Sequence, residues 1–198
     1  KLGIKTGLNE AFIIDESKRK EIINNCLTEE ERNETEKVIK PVLRGKDIKK
    51  GFYEWKNLYL INTHNGYYDK SGKKTEPINV KKYPSIKSHL DFYYKRLSKR
   101  YDKGITPYNL RDCAYLSDFD KPKIIFSEIV RSPQFSLDNQ GYFPEATVFF
   151  IIGPFLDNLA NLLNTNYFAW IFKKFYAGGG LGDKGFRYKK EFLEKLPI

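Results

Sequence analysis

Two apolar runs lie close together in the chain, Lys123–Arg131 and Ala146–Ile152. Both are rich in Ile, Val and Phe with turn residues at their borders, the pattern of well-buried β-strands. Directly after them, Phe155–Asn164 and Thr165–Tyr176 switch to helical spacing and meet at the polar pair Asn164-Thr165. Strands in the middle and helices at the C-terminal end confine the chain to a mixed α+β class. The expectation is a single domain over residues 1–198 with a central twisted sheet and C-terminal helices. A length of 198 residues fits one domain on the prior of about 150 residues each. No apolar run approaches about 18 residues, so a transmembrane helix is excluded, and no signal-peptide layout opens the chain. Methionine is absent and the first residue is Lys1, so the chain is expected to be an internal or C-terminal piece of a longer protein.

The remaining elements follow from local signals. Ala11–Asp15 reads as a short strand after a Gly-punctuated loop. Thr28 with Glu31 forms a capping-box pattern that starts a helix over Glu29–Ile39, ended by Pro41. Leu58–Asn62 reads as a strand, and His64–Lys82, with Asn65-Gly66 and Ser71-Gly72, as a long hairpin or exposed loop. Ser85 is placed to cap a helix over Ile86–Tyr101, with Tyr93, Tyr94 and Tyr101 on its apolar, core-facing side. Gly178-Gly179-Gly180 stops the second C-terminal helix, and a basic helix over Lys189–Leu196 closes the chain.

Several chemistries fail on these residues. Gly180-Leu181-Gly182-Asp183-Lys184-Gly185 has the letters of a dinucleotide fingerprint but follows a helix instead of a strand. His64 and His89 have no Cys or His companion at ligand spacing, and Cys113 is expected as a small buried apolar residue. Asp118 and Glu128 resemble a nuclease carboxylate pair, but Ile129-Val130 stand where the trailing lysine would be needed.

What survives is charge. With 35 Lys and Arg against 25 Asp and Glu the net charge is +10, which favours a polyanionic partner, nucleic acid first. The excess is clustered: eight cations against two aspartates between Lys81 and Lys103, six against two acids between Lys40 and Lys56, and seven against three between Lys173 and Lys195. Such faces gain by releasing counterions condensed on phosphates. Arg44, Arg111 and Arg131 lie beside loops or strand ends, where a guanidinium fork can grip phosphate or guanine.

The chain also resembles the C-terminal specificity domain of TaqI-like N6-adenine DNA methyltransferases and of type IIG restriction–modification enzymes. The resemblance rests on an ordered set running from Gly3-Ile4-Lys5-Thr6-Gly7-Leu8-Asn9-Glu10-Ala11-Phe12 through Lys40-Pro41-Val42-Leu43-Arg44-Gly45-Lys46-Asp47-Ile48 and Tyr59-Leu60-Ile61. It continues in Leu90–Arg100, Leu110-Arg111-Asp112-Cys113, Lys121-Pro122-Lys123-Ile124-Ile125, Leu162-Leu163-Asn164-Thr165 and Leu196-Pro197-Ile198. Phe126 stands where a tyrosine is usual, and Pro107-Tyr108-Asn109 lacks a tryptophan often found there.

The resemblance implies a non-catalytic, sequence-specific recognition domain for double-stranded DNA in a bacterial cytoplasmic enzyme. The methyltransferase domain would lie upstream in the same polypeptide with S-adenosylmethionine, and Mg would enter if the parent also cleaves. The target adenine would be flipped into that upstream domain, because its N6 cannot be methylated while stacked. Shared positions then serve phosphate or scaffold roles: Lys5, Thr6, Arg44, Lys46, Arg111, Lys123, Arg187 and Lys189. Base readers fall in the stretches that match nothing, with Asn65, Lys73, Lys74, Asn109, Arg131, Gln134, Asn139 and Gln140 as candidates. Two alternatives stand beside this reading. One is a single-stranded nucleic-acid clamp using the tyrosines. The other is an interaction platform orienting methylase and nuclease domains through the apolar helices of Phe155–Tyr176.

Overall fold

The computed structural model describes residues 1–69, 71–176 and 185–195. The triple-glycine stop, most of the glycine fingerprint and the closing Leu196-Pro197-Ile198 lie outside those residues. The expected mixed α+β class is what the structure has, and the chain forms two compact units from interleaved segments. The N-terminal unit comprises Ile4–Val42 and Asn57–Asp120, and the C-terminal unit comprises Lys1–Gly3, Leu43–Lys56 and Lys121–Ile198.

In the N-terminal unit a turn of helix, α1 (Asn9–Phe12), runs into strand β1 (Ile13–Asp15), so the expected strand over Ala11–Asp15 begins two residues late. Asp15 then caps α2 (Glu16–Asn24) by accepting the Lys18 N–H at 2.8 Å. This helix carries no strong apolar stripe, only Ile22 and Ile23 buried, and it is missing from the sequence reading for that reason. Helix α3 (Glu29–Val38) matches its capping signal: Thr28 Oγ1 accepts the Glu31 N–H at 3.1 Å. The Glu31 carboxylate reaches past the cap to accept from Leu27 N and Ser85 N, both at 2.9 Å. Strands β2 (Ile39–Leu43) and β3 (Leu58–Ile61) complete an antiparallel sheet in which β3 lies between β1 and β2, with Leu60 opposite Ile13 and Lys40. A two-stranded ribbon follows, β4 (Tyr67–Tyr68) with β5 (Lys74–Thr75), where the sequence reads hairpin or loop.

The long helix expected over Ile86–Tyr101 is broken. Helix α4 (Pro84–Asp91) starts with proline at its first turn, and α5 (Tyr94–Leu97) is a separate turn. Ser85 is not the cap, since the helix already begins at Pro84 with Tyr83 at the cap position; the Ser85 N–H donates instead to the Glu31 carboxylate. Tyr93 N bonds Leu90 O at 3.0 Å, a three-residue tightening that rotates the register after Asp91. Ile86, Leu90 and Leu97 remain buried, whereas Tyr94 and Tyr101 turn outward, Tyr101 fully exposed. Placing Tyr94 and Tyr101 in the core is thus corrected, because the continuous 3.6-residue period that aligned them does not exist.

Arg100, by contrast, is buried. Its guanidinium lies 4.6 Å from the Phe12 ring centre and donates to four backbone carbonyls: Thr6, Asp102 at 3.4 Å, Pro107 at 2.9 Å and Asn109 at 2.8 Å. Burial brings its pKa down to about 10.

The C-terminal unit is built on an antiparallel sheet of β6 (Lys123–Ser127), β8 (Phe135–Asp138) and β10 (Val148–Ile151), with β6 in the centre. The single strand expected over Lys123–Arg131 breaks at Glu128, and β7 (Ile129–Val130) turns away to pair with β11 (Phe186–Arg187). Strand β9 (Phe143–Pro144) precedes β10. Residues Lys1–Gly3 cover the outer edge of β10, with Gly3 N bonded to Val148 O and Phe150 N to Lys1 O, both at 2.8 Å. A Cβ on Gly3 would sit 2.2 Å from the Glu145 carbonyl oxygen, so only glycine permits that approach.

Helices α6 (Leu156–Leu163) and α7 (Asn166–Ile171), the latter continuing as a π-turn over Phe172–Tyr176, cover this sheet as expected. Their polar junction has a structural explanation. The Asn164 side chain bonds Phe135 N at 3.0 Å and Phe135 O at 2.7 Å, and Thr165 caps α7 through Phe168 N at 3.0 Å. Tyr188 fills the centre of the core, its ring 4.8 Å from both Phe135 and Phe172, and α8 (Lys190–Leu193) follows.

Both histidines are held neutral by burial, which lowers their pKa values below the ordinary 6.5. His89 Nε2 lies 2.9 Å from Ala11 O, and His64 Nδ1 accepts the Gly66 N–H at 3.1 Å, a bond that protonation at Nδ1 would remove. The unfolded chain therefore takes up protons first as pH falls through about 6.5, and folding stability declines from there downward. A drop in the urea midpoint between pH 7.5 and 5.5 is expected, with a shallower drop in His89→Gln. A flat profile over that range would refute this.

Candidate nucleic-acid interface

The residues singled out by sequence divide sharply once burial is known. In the N-terminal unit Lys5 is exposed. Thr6 is buried, its hydroxyl accepting the Leu8 N–H at 3.1 Å while its carbonyl receives Arg100. Thr6 therefore serves the scaffold. Asn109 is buried as well, donating to Ile78 O at 2.9 Å and His64 O at 3.2 Å, and accepting from the Thr106 hydroxyl at 2.5 Å. A base edge cannot reach it, which corrects its place among the readers. Asn65 donates to Asp112 at 2.5 Å and accepts from Ile105 N at 2.7 Å, so both ends of its amide are engaged. Arg111 is exposed and faces Asp102 at 3.3 Å. Lys74 pairs with Glu76 at 2.8 Å, which raises the lysine's pKa, whereas Lys73 stands exposed at the ribbon's tip.

The cationic stretch from Lys81 to Lys103 is thinner than its composition. Lys87 pairs with Asp91 at 2.6 Å, Arg96 pairs with Glu10, and Arg100 is buried. The Asp91 carboxyl, hydrogen-bonded by Lys87 and by the Tyr108 hydroxyl, is held below its ordinary range. Lys81, Lys82, Lys95 and Lys99 remain exposed with no carboxylate partner among the described residues.

In the C-terminal unit the Leu43-Arg44-Gly45-Lys46-Asp47 segment forms a locked turn. Asp47, buried, accepts from Arg44 N at 3.0 Å and from both ends of the guanidinium at 2.9 and 2.8 Å. The pairing with Asp47 raises the Arg44 pKa. Gly45 donates to Thr147 Oγ1 at 2.9 Å and accepts from Ser127 Oγ at 2.8 Å, and a Cβ there would lie 2.6 Å from that same Ser127 oxygen. The turn borders a cleft of about 540 Å³ whose other walls include Glu128, Glu145 and Thr147. Lys46 projects from it, exposed.

Of the two roles expected for Lys123, phosphate or scaffold, its burial fits the scaffold. It is fully buried and paired with Asp138, its cross-strand neighbour, at 2.6 Å, so it touches no phosphate. Asp138 also accepts from Gln140 N at 2.9 Å and Tyr142 N at 3.0 Å. Arg131, Asn139, Gln140 and Arg187 are exposed, Gln134 is half-buried, and Lys189 lies 3.7 Å from Glu191. Asp118 is buried in one unit and Glu128 belongs to the other; no group of three His, Cys, Asp or Glu among the described residues is placed to hold a metal ion. Cys113 is half-buried, not buried, and lines a cleft in the N-terminal unit.

Removing the partner of a buried charge leaves that charge stranded. Lys123→Ala is expected to destabilise the chain by about 3–5 kcal/mol. Arg44→Ala should cost about 2 kcal/mol, less because Arg44 is partly exposed. Lys46→Ala should stay within about 0.5 kcal/mol of the parent chain. Chemical denaturation measures all three, and a neutral Lys123→Ala would contradict the paired-charge account.

Over residues 40–198 the chain matches the family model of the TaqI-like C-terminal specificity domain. No curated protein sequence matches it. Among solved structures it is similar to the type IIL restriction–modification enzyme MmeI in complex with DNA, with a TM-score of 0.64 at 11% identity. That alignment covers 98% of this chain and 24% of the MmeI chain, so the chain spans about a quarter of that relative's length. At such identity the likeness is one of fold, while the family match rests on the sequence itself: the chain belongs to the TaqI-like C-terminal specificity domains.

Proposed function

We propose that the chain is the double-stranded DNA recognition domain of a restriction–modification enzyme, and that it grips and selects the site while catalysis occurs in other domains. The observation that carries this is the family match over residues 40–198, which includes the locked 43–47 turn. In that turn Arg44 and Gly45 are fixed by internal bonds and Lys46 is presented outward as a compact positive charge. Lys5, Lys46, Lys95 and Lys99 are the proposed phosphate contacts, since each is exposed. Methyl transfer from S-adenosylmethionine, and any Mg-dependent cleavage, are assigned to catalytic domains of the parent enzyme. The residues of this chain hold and orient the duplex.

Duplex affinity should fall steeply with salt, and Lys46→Ala should lower the log–log salt slope by roughly 1 with equal weakening on all sequences. Arg44→Ala, a positioning change, should act through lost stability instead. Salt-insensitive binding, or tighter binding to single strands than to duplex, would overturn the reading.

One observation favours a second role, docking onto another protein domain. Tyr167, Trp170 and Phe175 are exposed side by side on α7 and the π-turn, with Lys174 4.8 Å above the indole. Exposed Trp and Tyr clusters of this kind are typical interface anchors. Under this reading, a Trp170→Ser, Phe175→Ser double variant keeps its duplex affinity but loses capture of the parent's methyltransferase domain.

A further inference from the structure

The β4–β5 ribbon is built unlike an ordinary surface loop. Its tip is wound around Asp69, whose Oδ1 accepts from Ser71 N at 2.9 Å, Ser71 Oγ at 2.6 Å and Lys73 N at 3.0 Å. Gly72 closes the turn at φ +80°, and its N–H bonds Asp69 O at 3.1 Å. The root is equally fixed. Gly66 has φ +82°, and a Cβ on it would lie 2.8 Å from the Thr75 carbonyl oxygen. His64 packs edge-on against Tyr67 at 5.2 Å, and the buried Asn109 amide ties His64 and Ile78 together. Tyr68, Ser71, Gly72, Lys73 and Lys74 are all exposed. A ribbon ordered at both ends presents its side chains with little ordering entropy left to lose on binding.

Beside the ribbon is a cleft of about 480 Å³, lined by Tyr67, Tyr68, Lys74 and Glu76 together with Asp112 and Cys113. Its charge runs against that of the chain. Two carboxylates face one lysine in a molecule of net charge +10; Lys74 holds Glu76 Oε1 at 2.8 Å and Asn65 holds Asp112 Oδ1 at 2.5 Å, which leaves Oε2 and Oδ2 as the acceptors. A phosphate would be repelled there. A base edge would not, because cytosine N4 and adenine N6 present amino donors that carboxylates accept. The major groove also admits a two-stranded ribbon.

We infer that the paired strands β4 and β5, with the cleft beside them, form the base-reading element of this chain. Glu76 and Asp112 select an amino-bearing base, Lys73 contacts a base acceptor from the tip, and Asn65 and Asn109 are positioning residues. The inference rests on the duplex-recognition role proposed above. It narrows the candidate readers of the N-terminal unit to Lys73 and Lys74, and adds Tyr68, Glu76 and Asp112.

The test is enrichment of the full chain on a pool of short duplexes with a randomised core, followed by sequencing. Lys73→Ala and Glu76→Ala are compared with the parent chain. In each variant one or two adjacent positions of the enriched motif should lose their preference. The selected-to-random affinity ratio should fall roughly 5- to 150-fold. Glu76→Ala should bind random duplex at least as well as the parent, since a negative charge has gone. At the position it controls, the parent should select C or A on one strand. An unchanged motif in both variants would overturn the inference while leaving the recognition role intact. A parent chain that binds no duplex at all would overturn the recognition role itself.

Discussion

A buried cation must be surrounded by oxygens, and each unit of this protein is organised around one. In the N-terminal unit the Arg100 guanidinium donates to four carbonyls, drawn from the loop at Thr6 and from the segment Asp102–Asn109. Those carbonyls belong to backbone without regular secondary structure, which has few other ways to fix its course. The guanidinium supplies the shared donor set that a sheet would otherwise provide. In the C-terminal unit Lys123 and Asp138 pair across β6 and β8 with neither exposed, and Asp138 also orders the turn leading to Tyr142. Isolated, either charge would be prohibitive to bury; paired and hydrogen-bonded, they fix strand register and the loop beyond it.

This has a direct consequence for how a basic chain presents its charge. Lys123, Arg100 and Arg44 are used internally, and Lys87, Arg96 and Lys74 face carboxylates. The net charge of +10 is therefore not spread evenly over the described surface but remains on particular exposed lysines, among them Lys5, Lys46, Lys95 and Lys99. The ribbon cleft carries the opposite local sign.

Elements whose signal is local were legible in the sequence. Thr28 caps α3, Thr165 caps α7, and the Ile- and Phe-rich runs are β6 and β10. The Asn164-Thr165 junction between two helices was legible too, although its bonds to Phe135 were not. Helix α2 was missed because its sequence is polar on nearly every face, and the break after Asp91 was missed because the apolar spacing continues through it. Of the candidate site residues, Asn109 was misjudged as a base reader, and which of the two roles expected for Thr6 and Lys123 applied could not be read, for one shared reason. Polar side chains are counted as surface unless a partner is known, and their partners are distant in sequence.

The sequence by itself determined the class of fold, the family and the presence of a large positive charge, because periodicity, capping and ordered motifs are encoded over a few neighbouring residues. Tertiary structure alone decided which charges face outward. Lys123 meets Asp138, and Asn65 meets Asp112, only after the chain has folded back on itself. A polar atom is available to a partner only when no other group has been brought against that atom, and that depends on contacts between residues far apart in the chain.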